Sequence, residues 1–224
     1  AMSIASGGAV TFTQTPVFPD GSLALADLDI DGGTDIGAAI VDADLFIVDD
    51  GAGGTNRKVT ASRIKTYVGP GLTGFDAWRL TSNYTGSSGT IDGSWERQDL
   101  FSENIKLGTG MSESSGVFTF PSTGIWQIGF WTEFTHSGAS NYNGFYLDVS
   151  ANGGTNYTHA QGAWSGKDAN DRISTIGANI FINVSNATNY RIKATASGTN
   201  NATYDGNTTT NYTYFTFIRL GDST

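Results

Sequence analysis

The 224-residue chain contains no cysteine. That excludes disulfides, thiolate metal sites and cysteine nucleophiles, and it leaves the redox compartment open. Basic residues are few, 12 against 21 acidic ones, giving a net charge of −9. Binding along a nucleic-acid backbone needs clustered cations, so nucleic acid is not an expected partner. No apolar run approaches the ~20 residues that cross a bilayer, so membrane insertion is not expected either. Proline is almost missing beyond residue 70, where Pro121 is the only one, which leaves long strands uninterrupted. Hydrophobic residues still make up 38% and aromatics 12% of the chain, enough for a packed core.

What is present is unevenly spread. Nine of the 21 acidic residues fall between residues 20 and 50. After residue 70 the composition turns to Thr, Asn, Ser, Gly and aromatics. A Gly/Pro stretch, "VGPGLTG" at 68–74, separates the two regions. The expected organisation is an extended tail at 1–22, a small α+β module at 23–69, a linker at 70–74 and a main domain at 75–221.

In the module, Leu45 to Val48 read as a strand, Asp50 to Asn56 as a Gly-rich turn, and Arg57 to Ala61 as the returning strand. Ser62 is a candidate N-cap for a two-turn helix carrying Ile64, Tyr67 and Val68, with Gly69 as its stop. One hairpin and one short helix are each marginal alone. The module therefore makes physical sense as a neck repeated around a trimer axis.

The main domain reads as all-β. In "GIWQIGFWTEF", starting at Gly124, Trp126, Ile128, Phe130, Thr132 and Phe134 share one face, while Ile125, Gln127, Gly129, Trp131 and Glu133 share the other. Asn152-Gly153 is a hairpin-turn signal. Short strands with hardly any helical period point to a sandwich or jelly roll.

Several motifs invite chemistry. Asp27, Asp29, Asp31, Gly32 and Asp35 follow most of a calcium-loop pattern, but its twelfth position is Ala38, where the bidentate Glu should stand. A turn followed by a helix cap fits the stretch better, so no cofactor is expected and calcium is the only metal considered. "DDGAGGTNRK" joins two strands, unlike a phosphate-binding loop that opens a helix. The two histidines, His136 and His159, lie in loop-like Gly/Ser/Asn sequence with no nucleophile elbow nearby. Glu133 and Asp148 are the one pair of strand carboxylates open to consideration as a glycosidase dyad. An enzyme is not expected. The loops "THSGASNYNG", "NYTHAQGAWSGKDAND" and "GTNNATYDGNTTTNYT" mix rigid aromatics with adaptable hydrogen-bonding groups. Tyr142, Tyr157, Trp164 and Tyr204 are the candidate platforms for stacking against a sugar.

Two resemblances extend this reading. "SSGVFTFPSTGIWQIGFWTEF" and the C-terminal "NYTYFTFIRL" resemble the globular heads of complement and the related tumour necrosis factor (TNF) superfamily. The pattern is carried by Gly116, Phe118, Thr119, Pro121, Gly124, Trp126 and Ile128, with Tyr214 and Phe215 near the end. Trp126 and Ile128 replace the family's usual aromatics, and "SNATNY" replaces its Gly-Asp turn. The resemblance implies a ten-stranded jelly roll and a compact homotrimer. Separately, "DGGTDIGAAIVDADLFIVDDGAGGTNRKVTASRIKTYV" is similar to a segment that precedes variable heads in marine bacteriophage fibre proteins. That implies a trimeric fibre or spike on the virion surface, joined to other virion proteins through its tail. Its head would adhere to a host-surface glycan or protein. A capsid decoration or head-fibre protein is the alternative, and a glycan depolymerase a further one.

Overall fold

A computed structural model describes residues 2–4, 10–14, 36–49, 56–68, 71–100, 103–136, 142–166 and 173–224. The calcium-loop candidates Asp27, Asp29, Asp31 and Asp35 lie outside the described residues, as do most of the turn after Asp49 and the expected helix stop at Gly69. The chain divides into two compact units, Ala1–Pro70 and Gly71–Thr224.

In the first unit, β1 (Met2–Ile4) and β2 (Val10–Phe12) pair antiparallel, where the sequence suggested an extended tail. β3 (Leu45–Asp49) and β4 (Asn56–Thr60) form the hairpin, in register from Leu45↔Thr60 to Asp49↔Asn56. α1 (Ala61–Val68) follows β4 without a break and starts one residue before the expected cap. Backbone carbonyls take over the capping role. The Ala61 N–H donates to the Asp44 carbonyl at 2.8 Å and that of Ser62 to the Asp42 carbonyl at 3.3 Å, which satisfies donors that a helix start leaves free. None of the helix residues is buried, and Tyr67 is 92% exposed.

The second unit holds β5 (Gly74–Leu80), β6 (Tyr84–Thr90), β7 (Trp95–Arg97), β8 (Asp99–Leu100), β9 (Glu103–Asn104), β10 (Lys106–Leu107), β11 (Ser112–Ser114), β12 (Val117–Thr119), β13 (Gly124–His136), β14 (Asn143–Ser150), β15 (Thr158–Ser165), β16 (Ile173–Val184), β17 (Arg191–Tyr204) and β18 (Tyr214–Gly221). They make two antiparallel layers. In one, β5 pairs with β18, β18 with β13 and β13 with β16, while β7 and β10 flank β5. In the other, β6 and β12 pair with β17, β17 with β14 and β14 with β15, while β11 lies outside β12. The layers join at one corner, where Phe134, Thr135 and His136 pair with Tyr204, Thr203 and Ala202.

Alternation decides which side chains fill the space between the layers. Trp126, Ile128, Phe130 and Phe134 of β13 are buried, as are Phe215 and Phe217 of β18. They meet Phe118, Phe145, Leu147 and Ile192 from the other layer in one apolar cluster. Phe130 lies 4.6 Å, ring to ring, from both Phe145 and Phe215, in tilted and edge-on arrangements that add to simple burial.

One carboxylate is built into this core. Asp76 has 0% exposure and accepts from the backbone N–H of Ala77 (3.1 Å) and of Met111 (2.6 Å), from Trp78 Nε1 (2.9 Å) and from Arg97 Nε (3.2 Å). A buried charge is tolerable only with this degree of compensation. The network clamps β5, β7 and the chain entering β11 together.

Candidate functional site on the outer face of the β14–β15–β17 layer

The four proposed aromatic platforms do not end up together. Tyr204 is a correction: it has 0% exposure, and its hydroxyl donates to the Gly144 carbonyl. Burial and the loss of solvation push its phenol far above the ordinary range. It is a core residue and offers no face to a ligand, because the β17 alternation points it inward opposite Phe134. Tyr142 is exposed at the start of β14, and its carbonyl accepts from the Thr199 N–H at 3.1 Å. Tyr157 sits just before β15. Trp164 belongs to β15 itself and not to a loop.

Trp164 is the best-placed of the four. It is 43% exposed, and two glycines lie beneath it. A Cβ at Gly162 would stand 2.2 Å from its Cη2, and one at Gly144 would stand 2.8 Å from its Cδ1. The indole can therefore lie flat along the sheet only because both positions lack a side chain. Its Nε1 donates to Ser197 Oγ on β17 at 3.2 Å, which fixes the ring in plane. One face is turned to the sheet, the other to solvent.

The platform continues along the strands. Tyr146 meets Trp164 edge to face at 5.1 Å, and on its far side stacks against His159 at 3.9 Å, with ring planes 13° apart. His159 Nδ1 lies 2.5 Å from Asp148 Oδ1. A carboxylate only accepts, so Nδ1 carries the proton, and in the neutral ring Nε2 is left as an acceptor. Asp148 is 4% exposed and also accepts from Thr195 Oγ1 at 2.6 Å. Beyond this pair, Lys193 Nζ lies 4.3 Å above the Tyr157 ring and donates to Thr90 Oγ1 at 3.1 Å. Burial pushes the Tyr157 phenol up; Arg191 opposes that shift and Asp148 adds to it.

The surface thus presents aromatic faces, hydroxyls and an imidazole acceptor in one line. The proposed dyad fails on placement: Glu133 is on the outer face of β13 and Asp148 on the outer face of β14, with the core between them. Both histidines are on strands, another departure from the loop reading. His136 is buried, with Nδ1 accepting from Asn143 Nδ2 at 2.9 Å and Nε2 facing Ser174 Oγ at 3.1 Å, so its role is structural. A separate cavity of about 300 Å³ lies by Phe75, Trp126, Pro121 and Arg219. The Arg219 guanidinium there is already held by the Thr123 carbonyl, Thr73 Oγ1 and Asp222 Oδ1, which leaves little of it for a ligand.

Sequence reading considered His159 and Asp148 only for catalysis, and did not place Tyr146, His159, Asp148 and Thr195 in a binding surface. The first and third were legible: in "GFYLDVS", Tyr146 and Asp148 alternate with the inward Phe145 and Leu147. His159 was not, because the register of β15 slips between Leu147 and Asp148 and only that slip sets the imidazole opposite the carboxylate.

No protein-family model and no curated protein matches this sequence. Among solved structures, Eiger TNF from S. frugiperda aligns with a TM-score of 0.50 at 7% identity, covering 67% of this chain and 94% of that one. Murine APRIL at pH 5.0 aligns with a TM-score of 0.48 at 9% identity, covering 66% and 98%. The Eiger alignment, together with the two-layer strand pairing, shows that the chain carries a TNF-like jelly-roll β sandwich.

Proposed function

We propose that this chain is a trimeric adhesion protein, a fibre or spike of a phage virion, whose jelly-roll head holds a host-surface saccharide. The observation that carries the adhesion reading is the indole of Trp164, laid flat over Gly144 and Gly162 and pinned by Ser197. A sugar presents a C–H face and a hydroxyl rim. A fixed aromatic plane bordered by Tyr146, His159 and Thr195 complements both. No bond is broken in this function.

Self-association is supported by two surfaces. On the outer face of the β5–β18–β13–β16 layer, register aligns Phe181, Gln127, Ile218 and Phe75 in one row. The next aromatic pair is Trp131 stacked on Tyr214 at 5.5 Å. Phe181 is 64% exposed in the single chain, and a patch of this kind marks an interaction surface. The hairpin and helix of the first unit likewise leave Ile47, Tyr67 and Val68 exposed. Copies of the chain would cover both. Weak saccharide contacts repeated three times per spike then act by avidity. The virion location rests on the likeness of residues 31–68 to phage fibre segments.

Binding of the full chain to a glycan array, compared with Trp164→Ala, tests the adhesion reading; equal binding by the two proteins would sink it. Sedimentation equilibrium giving a monomer at micromolar concentration would sink the trimer. Labelling of phage particles with an antibody against the chain tests the location.

A further inference from the structure

The outer face of the β14–β15–β17 layer carries a sign of charge opposite to that of the whole chain. The acidic and basic side chains turned outward from its described strands are Asp148, His159, Arg191 and Lys193. Asp148 is buried and engaged by His159 and Thr195. Its cross-strand partner Lys193 makes no ion pair with it, and among the described residues neither Lys193 nor Arg191 forms any ion pair. Arg191 Nη1 is held by the Tyr190 carbonyl at 2.8 Å, and its stem lies beside Gly154 and Tyr157. On the adjoining strands the same face presents Val117 and Thr119 of β12, opposite Lys193 and Arg191, and then Ser114 and Ser112 of β11. None of these is charged. Glu113 of β11 spends its carboxylate on the Gly116 N–H at 2.7 Å.

We infer that the saccharide held by this face is acidic, with a carboxylate or sulfate ester seated at Lys193 and Arg191 while a neighbouring sugar ring stacks on Trp164. This rests on the adhesion reading above and narrows it to one ligand class. The geometry sets the orientation. Trp164 is tied to Ser197, and Lys193 lies four residues back along the same strand, about 13 Å away at ~3.3 Å per residue. A short oligosaccharide lying along β14, the strand between β15 and β17, covers Trp164, Tyr146 and His159 in turn and reaches the two cations at its far end. His159 sits level with Lys193, in one row across Asp148, able to accept from a hydroxyl at Nε2 when neutral. The chain's net charge of −9 does not forbid an anionic ligand. At physiological ionic strength charges more than about 8 Å away are largely screened, so the local cations decide.

The test is calorimetric titration of the full chain with matched pairs: an oligouronate and its carboxyl-reduced counterpart, and a sulfated oligosaccharide and its desulfated counterpart. At low salt the acidic member of a pair binds about tenfold tighter or better. The preference shrinks as salt rises. Lys193→Gln and Arg191→Gln each drive the acidic-to-neutral ratio toward one. Trp164→Ala weakens both members alike and keeps the ratio. The pair that shows the preference identifies carboxylate or sulfate as the group recognised. If the neutral members bind as tightly as the acidic ones, and Trp164→Ala still weakens them, the acidic assignment is overturned while adhesion stands. If no member binds, both readings fall.

Discussion

His159 and Asp148 face each other across β15 and β14, Nδ1 to Oδ1 at 2.5 Å, and the imidazole so held stacks on Tyr146 at 3.9 Å. The pair acts as one unit: the carboxylate fixes the tautomer and the ring plane, and the ring presents Nε2 outward. His159→Gln and Asp148→Asn should therefore each weaken saccharide binding, and the double variant should lose little more than either alone. A double-mutant cycle measured by titration checks this, with a coupling energy of about 0.5–3 kcal/mol expected for residues in contact.

The two glycines under Trp164 separate binding from stability. A methyl group at Gly162 meets the far end of the indole at 2.2 Å, and the ring can tilt away. Gly162→Ala should fold normally yet bind saccharide about as poorly as Trp164→Ala, on the order of tenfold or more. A methyl group at Gly144 meets the Ala163 carbonyl oxygen at 2.0 Å, and backbone cannot tilt away. Gly144→Ala should cost about 1–3 kcal/mol of stability, read from denaturant unfolding.

Phe181→Asp puts a charge into the middle of the apolar row on the β16 face. If copies of the chain cover that row, the variant leaves an unpaired buried carboxylate at each interface. Sedimentation should then show dissociation to monomers, with the circular dichroism of the folded chain retained.

Asp76→Ala removes one partner from a buried network that ties Arg97, Trp78 and Met111 together. Breaking a buried pair this way costs about 3–5 kcal/mol. Urea unfolding should show a loss of stability of that size without a change in saccharide specificity, because Asp76, Trp78 and Arg97 belong to β5 and β7 in the other layer from Trp164.

Asp205 has its carboxyl raised above the ordinary range, first by burial and then by the Glu133 carboxylate, with a hydrogen bond from Thr135 acting the other way. The folded state therefore holds this proton at pH values where the unfolded state has released it. Stability from this group grows as pH falls from just above its raised value toward the ordinary 3.8, and it is lost as pH rises through the raised value. Asp205→Asn should flatten that part of the stability profile and leave the chain no less stable at neutral pH. Thermal unfolding of both proteins between mildly acidic and neutral pH measures the difference.

Sequence alone determined the layers. The period-two pattern from Gly124 to Phe134 put Trp126, Ile128, Phe130, Thr132 and Phe134 on one face, and these are the inward residues. The hairpin of the first unit was equally legible, because apolar strands around a Gly-rich reversal leave few alternatives. The ligand-facing surface was only half legible. Composition pointed to Trp164 and Tyr157 but also to Tyr204, whose fate depends on which face of β17 turns inward. Asn152-Gly153 suggested a tight turn, whereas the connection runs from Ala151 to Tyr157, held by Ser150 and Asn152 side chains. What only tertiary structure decided is the neighbourhood of Trp164: Gly144, Gly162 and Ser197 come from three strands, and His159 reaches Asp148 only through a slip in register. Side-chain period is local and survives in one sequence. Cross-strand partnership is set by pairing between distant segments, and no single stretch of sequence encodes it.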